Sequence, residues 1–340
     1  MTPKSTIALE AAGSGPGRPG PRLPGPCEGV AGDDRLAALF AAAEARHAKT
    51  RRVVATLLRW LVYVGALLTT LVLLFLVGYI LANGVPYLTP SLFAWEYTSD
   101  NVSLMPALVN TLLMAVLALL MAVPVGVGSA IYLVEYAPRG NRFVQMVRIT
   151  AETLQGIPSI IYGLFGMLFF VTALKWGLSL MAGACTLAIM VLPVIMRTTE
   201  EALLAVPDAY REGGFGLGAG RLRTVFRCVM PSAVPGILGG VILALGHCVG
   251  EVAALIFTAG SIAQIPDFVG GLAAGGLAGL GAAFFDSTRT LAVHMYVLAS
   301  EGLHMNETYA TAVVLLAVVV LLNLLATSAA KKMKKGNKHD

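Results

Sequence analysis

Six stretches of this 340-residue chain are long and apolar enough to cross a bilayer, and no other feature of the sequence constrains its fold as strongly. Trp60 to Ala82, Pro106 to Val134, Thr153 to Leu174, Trp176 to Met196 and Thr308 to Ala330 contain no Asp, Glu, Lys or Arg. About 20 such residues carry a helix across the ~30 Å hydrocarbon core. A sixth run, Pro235 to Ile262, is interrupted only by His247 and Glu251. The expected fold class is an all-α integral membrane protein with six transmembrane helices, at about 60–82, 106–134, 149–174, 176–197, 235–262 and 308–330. Composition agrees, since 13% of residues are charged against roughly 25% in a soluble domain.

Orientation follows from Lys and Arg, which flank membrane helices on the cytoplasmic side. With both termini inside, the inside segments hold 22 of the 24 basic residues, and only Lys175 and Arg289 are left outside. The glycine-rich run Phe268 to Phe285 is also uncharged. Counting it as a seventh span would put Lys331, Lys332, Lys334 and Lys335 outside, so it reads as an external loop or a shallow re-entrant segment. The net charge of +5 is a topology signal and not a nucleic-acid stripe. The basic tail, 331–340, suits contact with anionic lipid headgroups. Cys27, Cys185, Cys228 and Cys248 have no CxxC spacing and read as small apolar fillers.

Residues 1–52 divide into a Gly/Pro-rich stretch, expected to be disordered to about residue 32, and a basic amphipathic lead-in that starts at Asp33-Asp34. The first apolar run begins too far into the chain for a cleavable signal peptide, so the first helix is expected to be retained. The membrane domain is placed at 53–330, with a cytoplasmic loop at 198–234 inside it. Between the first two spans, Pro86, Pro90, Trp95 and Tyr97 suit an external segment at the membrane interface.

The loop from Arg197 to Pro235 is patterned as two short helices. Thr198 or Thr199 can cap a first, Pro207 interrupts it, and Asp208 can cap a second that stops near Gly218. Arg221 to Val229 then returns to the membrane. Gly213, Gly214 and Gly216 weaken the second helix, each by on the order of 1 kcal/mol relative to Ala. Either they let a partner's surface approach closely, or they have drifted in a loop that packing keeps in order.

In this loop the chain resembles the permeases of ATP-binding-cassette importers, whose cytoplasmic signature is Glu-Ala-Ala, three residues, Gly, nine residues, Ile-x-Leu-Pro. The spacing holds from Glu212 through Gly218 to Pro231, with Gly213, Gly214, Cys228 and Met230 as departures. Further segments resemble the PstA family of phosphate-transport permeases: Thr111-Leu-Leu-Met, Ala130-Ile-Tyr-Leu-Val-Glu-Tyr, Gly156-Ile-Pro-Ser-Ile-Ile-Tyr-Gly-Leu, Val206-Pro-Asp-Ala-Tyr-Arg-Glu and Gly250-Glu251. The likeness runs from about Val53 to Ala330. It implies a type I importer core with a cytoplasmic coupling loop. Asp208, Tyr210, Arg211, Glu212, Gly213, Gly214, Phe215, Gly218 and Pro231 would then engage an ATPase.

No Gly-x4-Gly-Lys-Ser/Thr phosphate loop occurs in the sequence, so hydrolysis is expected on another chain. The resemblance implies two PstB-like ATPase subunits that use ATP and Mg, a PstC-like permease and a PstS-like external phosphate-binding protein. No cofactor or metal is expected on this chain; His294 and His304, ten residues apart, do not make a metal-ligand pattern.

His247 and Glu251 are four apart, which in a continuous fifth helix would place them on one face, and ionisable groups at membrane depth mark a pathway or a pair. The family resembled commonly has Arg where His247 stands, so His247 reads either as a cation when protonated or as a neutral, hydrogen-bonded side chain. Ser159 and Tyr162, beside an expected irregularity at Gly156–Ser159, and Arg197 complete the path candidates; for Ser159 and Tyr162 ordinary helix packing is the alternative, with Gly163 and Gly166 allowing close contact. The rival functions are import of phosphonate, sulfate or molybdate by the same architecture, and an ion-coupled carrier. The latter would show two similar halves, which the sequence lacks. A membrane enzyme is disfavoured by the absence of His-Glu-x-x-His and Gly-x-Ser-x-Gly motifs.

Overall fold

The computed structural model describes residues 33–138 and 140–336. The chain divides into two units, residues 1–73 and 74–340. The disorder expected before residue 33 lies outside the described residues. Helix α1, Asp33–Gly84, begins at the Asp pair and runs unbroken into the first apolar run. Within the first unit, residues 54–73 are exposed on every face, Trp60, Leu67 and Val72 included. A helix apolar all round is stable only against lipid or another apolar surface.

In the second unit, two short 3₁₀ turns, Val85–Tyr87 and Pro90–Phe93, lead to α2, Met105–Ile131, which continues as a π turn through Tyr136. The remaining elements are α3, Arg142–Gln155; α4, Ser159–Gly166, with a π segment to Ala173; α5, Leu180–Leu204; α6, Asp208–Gly216; and α7, Arg221–Thr224, with a π turn to Val229. Then follow α8, Met230–Gly250; α9, Ala253–Thr258; α10, Phe268–Ala283; α11, Leu291–Glu301; and α12, Met305–Gly336.

The core is the packing of α2, α5 and α8, with α9 and α11 against them. Its buried residues are mostly small: Ala115, Ala118, Ala122, Ala184, Ala188, Ala244 and Ala259 sit among Met114, Leu187, Ile195 and Leu255. Small side chains let helix backbones approach closely where lipid gives no hydrophobic drive. The expectation for Gly163 holds in the same way, since a Cβ there would stand 2.7 Å from Ala254 Cα.

Among the described residues, five helices are long and apolar enough to cross a membrane, and six when the bent pair α3–α4 is taken as one span. Several expected boundaries are corrected. The third run does not form one helix over 149–174: α3 and α4 meet at 101°. Pro158 supplies no N–H and pushes Ile157 out of helical geometry, and α3 carries Arg142, Arg148 and Glu152. The fourth helix runs to Leu204, so Thr198 and Thr199 lie inside it and cap nothing; Thr198 Oγ1 donates to the Val194 carbonyl.

The fifth span is displaced toward the N-terminus. Its helix runs over Arg221–Gly250 and stops before Glu251, where 235–262 was expected. Pro231 follows the π turn at Val225–Val229 inside this helix, where its missing N–H removes one helical hydrogen bond. The glycine-rich run is helical, kinked at Gly276 with φ +57 and ψ −139, a conformation open only to glycine. Residues 331–336 of the expected tail continue α12.

Candidate functional site

Helix α6 is built as the sequence pattern requires, with one change. Pro207 and not Asp208 holds the cap position, and Asp208 is the first helical residue. Gly218, at φ +78, ends the turn that follows. Arg211 fixes the helix to its surroundings. Its Nη2 donates to Glu135 Oε1 at 2.7 Å and to the Leu203 carbonyl at 2.9 Å; its Nε donates to Glu135 Oε1 at 3.1 Å; its Nη1 donates to the Val206 carbonyl at 2.8 Å and to Asp208 Oδ1 at 3.1 Å. Glu135 is buried, and the Arg211 side chain is 16% exposed. The hydrogen bond to Glu135, ahead of its charge, raises the Arg211 pKa above the ordinary range.

One guanidinium thus ties α6 to the π turn that ends α2 and to the last residues of α5. Arg221 adds a second tie, lying over the Tyr136 ring at 5.7 Å. A cavity of about 870 Å³ opens beside this junction, lined by Glu135, Arg148, Asp208, Arg211, Phe215 and Arg221. The π turn at Tyr132–Tyr136 borders it, and such irregular turns recur at functional sites.

The three glycines divide. Gly214 is buried, and a Cβ there would meet Thr224 Cγ2 at 2.8 Å, so it is required by packing inside the chain. Gly213 faces open space. Tyr210 and Phe215 are half exposed, Leu217 is 91% exposed, and Glu212 is exposed. The exposed surface of α6 and the turn after it therefore carries aromatic and aliphatic side chains and the Glu212 carboxylate.

The second group of candidates is only partly assembled. His247, near the end of α8, and Glu251 line an open groove of about 640 Å³ together with Gly239, Leu243, Gly246 and Asn323 of α12. They do not share a helix face. Glu251 follows the last residue of α8 with extended backbone, and its Oε1 accepts from the Ala254 amide at 3.0 Å, at the start of α9. A carboxylate is favoured at a helix N-terminus, which gives Glu251 a structural task. His247 is exposed along the groove wall.

Tyr162, Ser159 and Arg197 do not line the groove. Tyr162 is buried and its hydroxyl donates to the Leu154 carbonyl at 2.8 Å, closing the α3–α4 bend. Arg197 pairs with Glu152 of α3 and, at 3.3 Å, with Glu201; Arg148 pairs with Glu200 at 2.5 Å. These contacts hold α3 against α5. Sequence reasoning missed Glu135, Leu217 and Asn323 as site residues. Glu135 carried one usable signal, a carboxylate at the edge of a long apolar run.

The family pattern described as "Binding-protein-dependent transport system inner membrane component" matches residues 122–336, which include the whole of the junction and the groove. The chain belongs to this family. With its apolar helices, this transport component is a multi-pass inner-membrane protein and a transmembrane subunit of an ATP-binding-cassette importer complex. It is 34% identical to the "Probable ABC transporter permease protein YqgI" of Bacillus subtilis (strain 168) over 68% of this chain and 79% of that one. It is 39% identical to the "Phosphate transport system permease protein PstA" of Mycobacterium leprae (strain TN) over 45% of this chain, and the match spans half of that protein's length. To "PstA 2" of Mycobacterium bovis it is 35% identical over 63% of this chain and 71% of the relative. The fold is similar to a chain in the crystal structure of a bacterial ABC transporter that imports alginate, with a TM-score of 0.59, 17% identity, and coverage of 80% and 96%.

Proposed function

We propose that this chain is one permease subunit of an ATP-driven importer of inorganic phosphate, moved through α6 by a separate ATPase. The observation that carries the reading is the mounting of α6. Arg211 fastens it to α2 and α5, while Tyr210, Glu212, Phe215 and Leu217 stay exposed on it and on the turn that follows. A force applied to those side chains reaches both core helices through charge-assisted hydrogen bonds, which are stronger than neutral ones. The phosphate assignment is supported by the printed names of the mycobacterial relatives.

In this reading α6 and both termini face the cytoplasm. Two PstB-like subunits bind ATP and Mg and hydrolyse the nucleotide, while this chain holds no cofactor. Their closure rocks α2, α5 and α8 as a body about an interface with a PstC-like permease. The groove containing His247, Glu251 and Asn323 forms this subunit's half of the path, and a PstS-like protein delivers phosphate from outside. Asp208, Gly213, Gly214, Gly218 and Pro231 shape the handle, and Tyr162, Ser159 and Arg197 brace the bend beside it.

The test replaces Glu212 with Ala and Gly218 with Leu in the assembled transporter. Uptake should fall at least about tenfold while ATP hydrolysis continues, since Glu212→Ala removes a partner contact and Gly218→Leu strains a left-handed position. Unchanged phosphate uptake in both variants would refute the assignment.

A further inference from the structure

A second polar cluster lies at the other end of α2. Asn110 and Glu135 are 25 positions apart on that element, roughly 37 Å at 1.5 Å per residue. Asn110, Thr288, Arg289 and His294 are all buried, at 0%, 0%, 4% and 0% exposure. Asn110 Oδ1, Thr288 Oγ1 and Arg289 Nε have no hydrogen-bond partner among the described residues, and the His294 ring has none but the Val102 backbone. Few buried polar atoms in a native protein are left so. Such a group around one buried arginine calls for a partner from outside the chain.

The patch is held together. Asn110 Nδ2 donates to the Gln264 carbonyl at 2.8 Å and to the Arg289 carbonyl at 3.4 Å, which leaves Oδ1 as the free acceptor. Thr111 Oγ1 accepts from the Leu291 amide at 2.8 Å and so fixes the start of α11 beside α2. The Arg289 guanidinium lies 4.8 Å from the centre of the Tyr97 ring, and His294 meets the same ring edge-on at 6.0 Å. Burial, then the Arg289 charge, lowers the His294 pKa to about 3, partly offset by the backbone of Val102; the imidazole is neutral and Arg289 supplies the charge.

That charge has no carboxylate within ion-pair distance among the described residues, and α11 has no acidic residue in its first turn. A buried cation at the positive end of a helix is stabilised by an anion. The free atoms define which anion. Arg289 Nε–H donates, Asn110 Oδ1 accepts, and neutral His294 and Thr288 each do both. An oxyanion that still carries a proton can accept from Arg289 and donate to Asn110. Fully ionised sulfate leaves Asn110 unmatched.

We propose that Asn110, Thr288, Arg289 and His294 form a binding site for a protonated small oxyanion, inorganic phosphate, at the end of the bundle remote from α6. The choice of phosphate rests on the function proposed above; the site itself rests on the orphaned atoms of Asn110, Thr288 and Arg289 beside His294. It would hold the anion on the external side, where Arg289 is one of two basic residues that the charge rule leaves.

Equilibrium dialysis of radiolabelled inorganic phosphate against the full chain in neutral-lipid nanodiscs tests the site. One saturable phosphate per chain is expected, displaced by excess phosphate and poorly by sulfate. Arg289→Gln should weaken it at least about tenfold, and Thr288→Val by about fivefold. The second variant removes a hydroxyl that has no partner, so it should fold as the parent does. Leu272→Ala, an exposed position on α10, should leave this binding unchanged. Absence of saturable binding, equal displacement by sulfate, or binding indifferent to both Arg289→Gln and Thr288→Val would overturn the proposal and reassign the cluster to a carboxylate of a partner subunit. Phosphate uptake that stays ATP-dependent while dialysis fails would sink this site alone and leave the permease reading intact.

Discussion

Arg211 and Glu135, 76 positions apart in sequence, meet at 2.7 Å and join helix α6 to the end of α2. Removing Arg211 leaves the Glu135 carboxylate buried and unpaired, which costs about 3–5 kcal/mol, whereas Arg211 without Glu135 keeps Asp208 Oδ1 at 3.1 Å. Glu135→Gln keeps the shape and loses the charge. We expect Arg211→Ala to abolish phosphate uptake and Glu135→Gln to reduce it several-fold, each with ATP hydrolysis retained. A double-mutant cycle on uptake per ATP hydrolysed checks the pairing: additive losses would separate the two residues.

Neighbouring glycines on α6 should respond in opposite directions. Gly213→Ala enters open space and should stabilise the helix by about 1 kcal/mol, with uptake unchanged. Gly214→Ala drives a Cβ into Thr224, 2.8 Å away, and should destabilise the junction by about 1–3 kcal/mol. Thermal unfolding of the two purified variants distinguishes them, and equal shifts of one sign would contradict the packing.

Much of this architecture is legible in the sequence because lipid demands long uncharged runs. The second, fourth and sixth spans, the break at Gly156–Ser159 and the start of α6 at Asp208 all carry local signals. The fifth span does not. Arg221, Arg223 and Arg227 look like loop residues, yet they occupy the first turns of a continuous helix whose charged side chains reach outward. Nothing local announces that the helix stops at Gly250 and leaves Glu251 to accept from α9. The Glu135–Arg211 pair and the Arg289 cluster are tertiary; no spacing rule joins residues so far apart. Residues 291–301 resemble an external loop by charge, and become α11 because Thr290 caps it and α2 and α12 cover it.

His247 lines the groove at the position where the resembled family commonly has Arg. His247→Arg should sustain phosphate uptake and His247→Ala should lower it. Equal uptake by the parent and both variants would remove His247 from the path.

His294 predicts acid lability. Its folded pKa of about 3 lies below the ordinary value of 6.5, so the unfolded chain binds the extra proton first. Stability contributed by the neutral imidazole is complete above about pH 6.5 and falls as pH drops toward 3, by at most about 1.4 kcal/mol per unit. Arg289 and Tyr97 are the groups that face it. Thermal midpoints measured from pH 7.5 to 5 should decline in the parent and flatten in His294→Gln; parallel curves would contradict the assignment.

The most direct measurement is site-specific crosslinking in intact membranes from Phe215 and Leu217, the exposed side chains at the tip of the α6 turn. If α6 is the part of this subunit that an ATPase grips, both positions should capture that ATPase, with yields that change when ATP is added. A probe at Leu272, on α10, should not. Capture from Leu272 but never from Phe215 or Leu217 would contradict the mechanism.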